Sequence, residues 1–518
     1  TRSSTVSGLG DVYKRQVLAV VLSLLPAGVL KASAAEAPAA LDIGYPTFKN
    51  TELLDEVYDL SKLGVSYSEK DIMMAIYKQD LANGGDSFYM DRILAREGVC
   101  NGNAGSNGNA DGNTFLTRGR ALYMYTSSPS VIGFGGNTAY HQPLGRGNLV
   151  RVLFSNADGS LTTKEDTSKR VNAPSNWSST YSVGSNLTLD VVKFIHQENV
   201  AVTTMTLTNK SAEDQAITVA ADSTFATEPG KVTVNGAEQT ELTGTCSSPA
   251  GLTTIYARMT GDGFEAASSD DYCWLSRDVT VPAGGSVELK VVIAFTTEEI
   301  PESTAQYLRF AGLGNLEAVR AQKAEYNLYW AENLPYIDVP KKAVQKAIDY
   351  RWWLERFNSL DANIPGYDYQ YPVTIEGVLG YNNAIILTQP MHLQDTKWLR
   401  SPYLAYGQLL SAGNSSQSSA FLDNPGNRNN WNNHYGQYLA EAGYEAFNVI
   451  GGGAEVAENF AYYFGHDATG QLEHYGNHIE GRDLITYRNN YMTGNDADTI
   501  SMHAPGTGTW KAHGENAY

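Results

Sequence analysis

The chain has 518 residues, too many for one ordinary core, so two large domains are expected. Hydrophobic residues at 42% exclude a disordered chain, and 37 Lys and Arg against 56 Asp and Glu give a net charge of −19. With no basic block, that balance speaks against nucleic acid and anionic membranes and suits a neutral polar ligand. Aromatic residues reach 11%, with 32 Tyr and 8 Trp, which serves core packing and sugar stacking alike. Three cysteines (Cys100, Cys246, Cys273) are too few for a disulfide scaffold; Cys246 and Cys273 could pair across a sheet.

Thr1–Gln16 lacks an initiator Met and any periodicity and is set aside as artefactual or upstream sequence. Lys14-Arg15, the apolar stretch Val17–Leu30 and the small residues Ala32-Ser33-Ala34-Ala35 have the build of a secretory signal peptide. The stretch is shorter than the ~20 residues a spanning helix needs, so a secreted or cell-surface protein without a span in the mature chain is expected. Residues 51–98 carry two helix-like patches, Leu53–Leu60 and Lys70–Leu81, the second capped by Ser68 and ended by Asn83-Gly84-Gly85. Asn101–Asn113 reads as a loop; its single carboxylate, Asp111, is weak evidence for a calcium loop, so no cofactor is expected and a structural calcium is the unsupported alternative.

From Thr114 to about Thr297 the pattern has period two. Arg120–Tyr125, Leu149–Phe154, Leu187–Phe194, Val200–Leu207, Ala216–Ala221, Leu252–Met259 and Val287–Phe295 read as strands. Asn156-Ala157-Asp158-Gly159, Asn235-Gly236, Gly261-Asp262-Gly263 and Gly284-Gly285 supply turns. An antiparallel β-sandwich over residues 36–300, with a short helical lead-in, follows from this spacing. A helical linker (301–339) includes Ala318–Trp330, punctuated by Pro335 and Pro340.

From Lys341 the period is helical. Ala343, Ala347, Tyr350, Leu354 and Phe357 form one stripe; further helices are expected at about Thr396–Ser411, Asn432–Ile450 (stopped by Gly451-Gly452-Gly453) and Ala454–Phe464 (ended by Gly465). Antiparallel helices in series suit a helical toroid over 340–518, whose inner helix starts share one pocket. Glycosidic cleavage needs a carboxylic acid and usually a second carboxylate, ~6.5–9.5 Å away in inverting enzymes. The candidates are Asp361, Asp368, Glu376, Asp395, Asp423, Glu480, Asp483, Asp496 and Asp498, most of which suit solvation or capping.

Two stand out by context. Asp395 reads as a helix start, followed by Lys397, Trp398 and Arg400 as a grip for hydroxyls. Asp496, in a Gly/Asn-rich loop, takes the catalytic role, Asp498 a cap, and Glu376 the place of a second carboxylate. Trp431, Asn432, Asn433 and His434 lie in an Asn-rich cluster matched to sugar hydroxyls, although turns use the same residues. No HExxH, paired CxxC, GxSxG or P-loop is present.

Gln394-Asp395-Thr396-Lys397-Trp398, Gly494-Asn495-Asp496 and Glu515-Asn516-Ala517 resemble three motifs of trehalases and related six-hairpin glycosidases. The resemblance implies an (α/α)6 toroid behind a supersandwich-like β domain, with Asp496 as general acid and Asp395 on substrate. Gln394 and Asn495 stand where the family has Trp, which puts α,α-trehalose in doubt as substrate. Phe115–Leu122, Asp423-Asn424-Pro425-Gly426 and Asn432-Asn433-His434-Tyr435 look most like the β-L-arabinobiosidase group, which acts on plant hydroxyproline-rich glycans. In such folds the base or nucleophile follows the sixth helix, so the toroid is expected to be incomplete at Tyr518 and the 518 residues alone inactive. The expected function is a secreted glycoside hydrolase acting on an oligosaccharide or polysaccharide glycan. A glycoside phosphorylase, which would need a cationic phosphate site, and a non-catalytic glycan-binding surface protein are the alternatives.

Overall fold

The computed structural model describes residues 41, 43, 114–115, 119–126, 130–140, 142–172, 175–223, 232–234, 240–247, 254–269, 272–297, 301–333, 339–361, 371–374, 388–416, 438–475, 486–487 and 516–517. The expected leader, the helical patches of 51–98 and the loop 101–113 lie outside them. The chain divides into two compact units. One holds residues 45–384 and 398–404, the other 385–397 and 405–518 together with 1–44.

The first unit is built on strands β1 (Thr114–Phe115), β2 (Leu122–Thr126), β3 (Gly133–Tyr140), β4 (Gln142–Asn156), β5 (Gly159–Ser160), β6 (Thr163–Asn172), β7 (Trp177–Val183) and β8 (Leu187–His196). They continue as β9 (Val200–Asn209), β10 (Gln215–Asp222), β11 (Val232–Val234), β12 (Glu241–Ser247), β13 (Thr254–Gly261), β14 (Glu265–Ser269), β15 (Tyr272–Val281) and β16 (Ser286–Thr296). One eight-stranded sheet has the order β1-β2-β3-β4-β10-β15-β14, with β5 paired to β4; the other has the order β11-β12-β13-β16-β9-β8-β7-β6. The β4–β5 hairpin turns at Asn156–Gly159, where the Asn156 side chain accepts the Asp158 N–H at 2.9 Å.

Alternating residues of both sheets meet in one core: Phe134, Val150, Phe154 and Val219 from the first, Leu189, Met205, Leu289 and Val291 from the second. This is the expected antiparallel sandwich. The second sheet is also covered on its other face. Helices α1 (Pro301–Gly312) and α2 (Asn315–Asn333), in the stretch read as linker, pack Tyr307, Phe310 and Ala318 on Phe194, Val200, Val202, Val292 and Ala294. Covered on both faces, β9 and β16 are buried along most of their length, and β9 carries Thr rather than charged residues between its apolar ones. Helix α3 (Lys342–Asn358) and the short pair β17 (Ser359–Leu360) and β18 (Val373–Thr374) add Trp352, Phe357, Leu360 and Val373 to the sandwich core. Cys273 is a free thiol on β15, in a different sheet from Cys246 on β12.

The second unit contains α4 (Gln389–Thr396), most of α5 (Tyr403–Ser416), α6 (Leu439–Ile450) and α7 (Ala454–Tyr475), with the short pair β19 (Thr486–Tyr487) and β20 (Asn516–Ala517). Tyr406 packs edge-on against Phe460 at 4.9 Å, joining α5 to α7. Gly443 of α6 lets Phe464 of α7 approach; a Cβ there would lie 2.2 Å from its ring. Gly451 ends α6 as expected, at φ +81 with its N–H on the Phe447 carbonyl at 2.8 Å. Gly465, by contrast, does not end α7, because an interior glycine costs only about 1 kcal/mol. The expected helix Thr396–Ser411 is two: Pro390 opens α4, and a turn containing Pro402 separates it from α5. Among the described residues no helix is long and apolar enough to cross a membrane.

A lysine is buried inside the sandwich. Lys193, 2% exposed, donates to the carbonyls of Val131 (2.9 Å) and Gly133 (2.8 Å) and lies over the rings of Trp177 and Phe134. Burial pushes its pKa down to about 7, with Glu165 pulling upward and Arg170 downward. Nearby, burial would raise the Glu165 carboxyl, but hydrogen bonds from Arg170, Ser130 and Ser179 prevail and lower it to about 2. Between about pH 7 and the usual lysine range the unfolded chain binds more protons than the folded one at Lys193, so stability rises with pH there. The urea midpoint of the wild type is therefore expected to rise relative to that of Lys193→Met between pH 7 and 10. Parallel pH profiles for the two proteins would show that burial of Lys193 carries no such linkage.

Candidate functional site

The stretch singled out by sequence, 394–400, is divided between the two units. Asp395 is not at a helix start: it is the seventh residue of the eight in α4, because Gln389-Pro390 begins that helix six residues earlier than the polar pattern suggests. It therefore does not sit among the free N–H groups of a helix N-terminus. Lys397 is buried, with its ammonium donating to Glu445 of α6 at 2.7 Å and to Gln394. The hydrogen bond from Lys397, against a smaller opposing effect of burial, lowers the Glu445 pKa. Lys397 thus ties α4 to α6.

Trp398 and Arg400 behave differently. Trp398 is 53% exposed and Arg400 is exposed, while Leu399 between them is buried in the sandwich core. The Arg400 N–H donates to the Asn333 carbonyl at 2.9 Å, and the Ser401 N–H to Asn333 Oδ1 at 2.8 Å. Tyr403 follows, its hydroxyl donating to Asp361 Oδ2. The turn is held at both ends of its polar edge and through its middle.

Asp361 belongs to a buried cluster that sequence reasoning lists only as one carboxylate among nine. Arg120 directs Nε (2.8 Å) and Nη2 (2.7 Å) onto Asp361 Oδ2 and Nη1 onto Glu198 at 3.3 Å. The Asp361 N–H closes back on the Arg120 carbonyl at 2.7 Å. Asp361 Oδ1 is buried and takes no hydrogen bond. Burial raises the Glu198 pKa against the pull of Arg120 and His196. The Glu198 N–H donates to His196 Nδ1 at 3.2 Å, and His196 Nε2 lies 2.7 Å from Glu325, which also receives Arg309. Burial would raise Glu325, but His196 and Arg309 prevail and lower it. No group of three His, Cys, Asp or Glu placed to hold a metal occurs among the described residues.

Asp496, Glu376, Trp431, Asn432, Asn433 and His434 lie outside the described residues. The only sequence signals for the Arg120 cluster were Arg120 itself, inside Phe115–Leu122, and Asp361 among the candidate acids.

No family model matches the sequence. Among solved structures, the chain is similar to a protein described as a kojibiose phosphorylase from the human microbiome, at 10% identity and TM-score 0.42, over 58% of this chain and 46% of that one. It is similar to a family GH92 inverting mannosidase from Bacteroides thetaiotaomicron at 13% and 0.37 (67% and 50% covered). A bacterial glucoamylase complexed with acarbose follows at 8% and 0.34 (66% and 57%). The chain spans about half the length of these proteins, and likeness at this level decides neither the course of the helical part nor a reaction.

Removing Asp361 leaves the Arg120 guanidinium buried beside Glu198 alone. Asp361→Ala is expected to lower unfolding free energy by about 3–5 kcal/mol, read from urea denaturation at pH 7. A loss below 1 kcal/mol would show that the cluster is not what holds α3 and the 398–404 turn to the sandwich.

Proposed function

We propose that the chain is part of a secreted glycan-active enzyme, a glycoside hydrolase with a β-sandwich ahead of an (α/α)6 toroid. The observation that carries this reading is the solvent-facing Trp398 beside Arg400, within the stretch whose residues resemble a six-hairpin sugar-binding motif. An aromatic face accepts the C–H side of a sugar ring, and a guanidinium donates to its hydroxyls. The order of the layers, two antiparallel sheets followed by helices in series, agrees with the layout of such enzymes. Export rests on Lys14-Arg15 and Val17–Leu30.

In this reading Asp496 protonates the leaving glycosidic oxygen and Glu376 is the second carboxylate; Asp395, Trp398, Arg400 and the stretch Trp431–His434 bind the glycan. The substrate class is a plant glycan of the β-L-arabinofuranosyl type, after the resemblance of Phe115–Leu122 and Asn432–Tyr435. The test is release of disaccharide from a hydroxyproline-linked β-L-arabinofuranosyl oligosaccharide by the natural protein carrying these residues. Asp496→Asn is expected to lower kcat about 10²–10⁴-fold, the usual worth of acid catalysis. Unchanged turnover in that variant would remove Asp496 from the mechanism.

A further inference from the structure

The turn Gln197-Glu198-Asn199, between β8 and β9, does more than reverse the chain. The Gln197 carbonyl accepts the Arg120 N–H at 2.6 Å, and Asn199 Oδ1 accepts the N–H groups of Ala121 and Leu122, each at 2.9 Å. Glu198 adds its carboxylate to the Arg120 guanidinium. The peptides that lead into β2 therefore depend on the shape of this turn, in which Asn199 sits at φ +63, uncommon for a residue other than glycine. His196, the last residue of β8 and 2% exposed, closes the turn from inside. Its carbonyl accepts the Asn199 N–H at 3.0 Å, and its Nδ1 accepts the Glu198 N–H at 3.2 Å.

Both imidazole nitrogens are thereby committed. An Nδ1 that accepts carries no proton, so the ring proton is on Nε2, facing the Glu325 carboxylate at 2.7 Å. A second proton has to go to Nδ1, where it meets the Glu198 N–H, donor against donor. Charged groups reach this neighbourhood from each side. Glu325 of α2 attracts an imidazolium but is shared with Arg309 of α1 at 2.5 Å; Glu198 is shared with Arg120, which also holds Asp361 beyond α3. Phe310 of α1 packs on the ring at 5.1 Å and, with burial, disfavours a charge there.

We infer that His196 is a pH-sensitive pin: in acid, proton uptake at Nδ1 breaks the Glu198 N–H bond and loosens the hold of the 197–199 turn on Arg120, Ala121 and Leu122. Glu325 keeps the imidazolium in place as it forms, so the movement falls on the turn and not on the ring. Histidine changes charge in the mildly acid range, and a turn opens at a lower free energy than the whole domain. The Glu198 carboxyl, raised by burial, titrates in the same cluster and has to be told apart from the ring. The inference is independent of the glycan reading.

The test is amide hydrogen exchange by mass spectrometry at about pH 7.5 and about pH 5, expressed as protection factors so that the intrinsic pH dependence of exchange drops out. In the wild type, protection of residues 119–122 and 196–199 is expected to fall roughly tenfold in acid, the worth of one hydrogen bond, while the β10–β15 pair keeps its protection. His196→Asn, whose carboxamide oxygen replaces Nδ1 as acceptor and does not titrate, is expected to show no such fall. An equal fall in that variant assigns the effect to Glu198 or Asp361 and overturns the inference, as does wild-type protection that ignores pH. Where the variant does not fold, neutron diffraction of the wild type decides. Deuterium on Nε2 alone at about pH 7.5, and on both nitrogens with the Glu198 amide turned away at about pH 5, supports the pin; deuterium on both at the higher pH overturns it.

Discussion

The first unit depends on one guanidinium. Arg120 lies at the entry to the sandwich, and its side chain is shared between Glu198, on the turn between β8 and β9, and Asp361, just beyond α3. Its backbone takes part as well, donating to the Gln197 carbonyl at 2.6 Å and accepting from the Asp361 N–H. Segments 78 and 241 residues further along the chain are thereby fixed to the same residue. A buried charge of this kind adds little net stability compared with an apolar replacement, but it punishes any arrangement that separates its partners. The consequence is geometric: α3, the β17–β18 pair and the 398–404 turn have one place to sit.

What could be read in the sequence follows from how each element is buried. Leu187–His196, Val200–Asn209 and Ser286–Thr296 are legible because these central strands, covered by a helical layer, are rich in apolar and β-branched residues. Thr163–Asn172 (TKEDTSKRVN) is not, because it is the edge strand of its sheet, mostly exposed, and edges favour charged and polar side chains. Gly133–Tyr140 escapes for another reason. Three of its first four residues are Gly, and Gly133 and Gly135 allow Val150 and Val131 to approach where a Cβ would collide.

The candidate site was legible to a lesser degree. Local pattern located the 394–400 stretch but mistook the helix boundary inside it, since Asp and Thr suit a helix start as well as an end and only Pro390 and Pro402 mark the true limits. Lys397 reads on paper like part of a grip; its ion pair with Glu445, 48 residues on, gives it to the packing of α4 on α6. Asn333 carried no signal at all. Its function is to accept two backbone N–H groups, and no one-dimensional pattern announces which asparagine will do that.

Two buried polar networks brace the first unit. Around Lys193 the groups answer one another: the ammonium meets two carbonyls, Glu165 meets Arg170, Ser130 and Ser179, and the Trp177 indole N–H meets Ser179 at 2.6 Å. Such networks rigidify a core, although Tyr181 Oη, near Glu165, meets no protein group. The Arg120 cluster also leaves polar atoms open. Asp361 Oδ1, Asn199 Nδ2 and, across the β17–β18 pair, Thr374 Oγ1 are buried acceptors and donors that no protein group meets. Open hydrogen-bonding capacity is unfavourable for folding alone, and it is met in proteins by ordered water or by ligand hydroxyls.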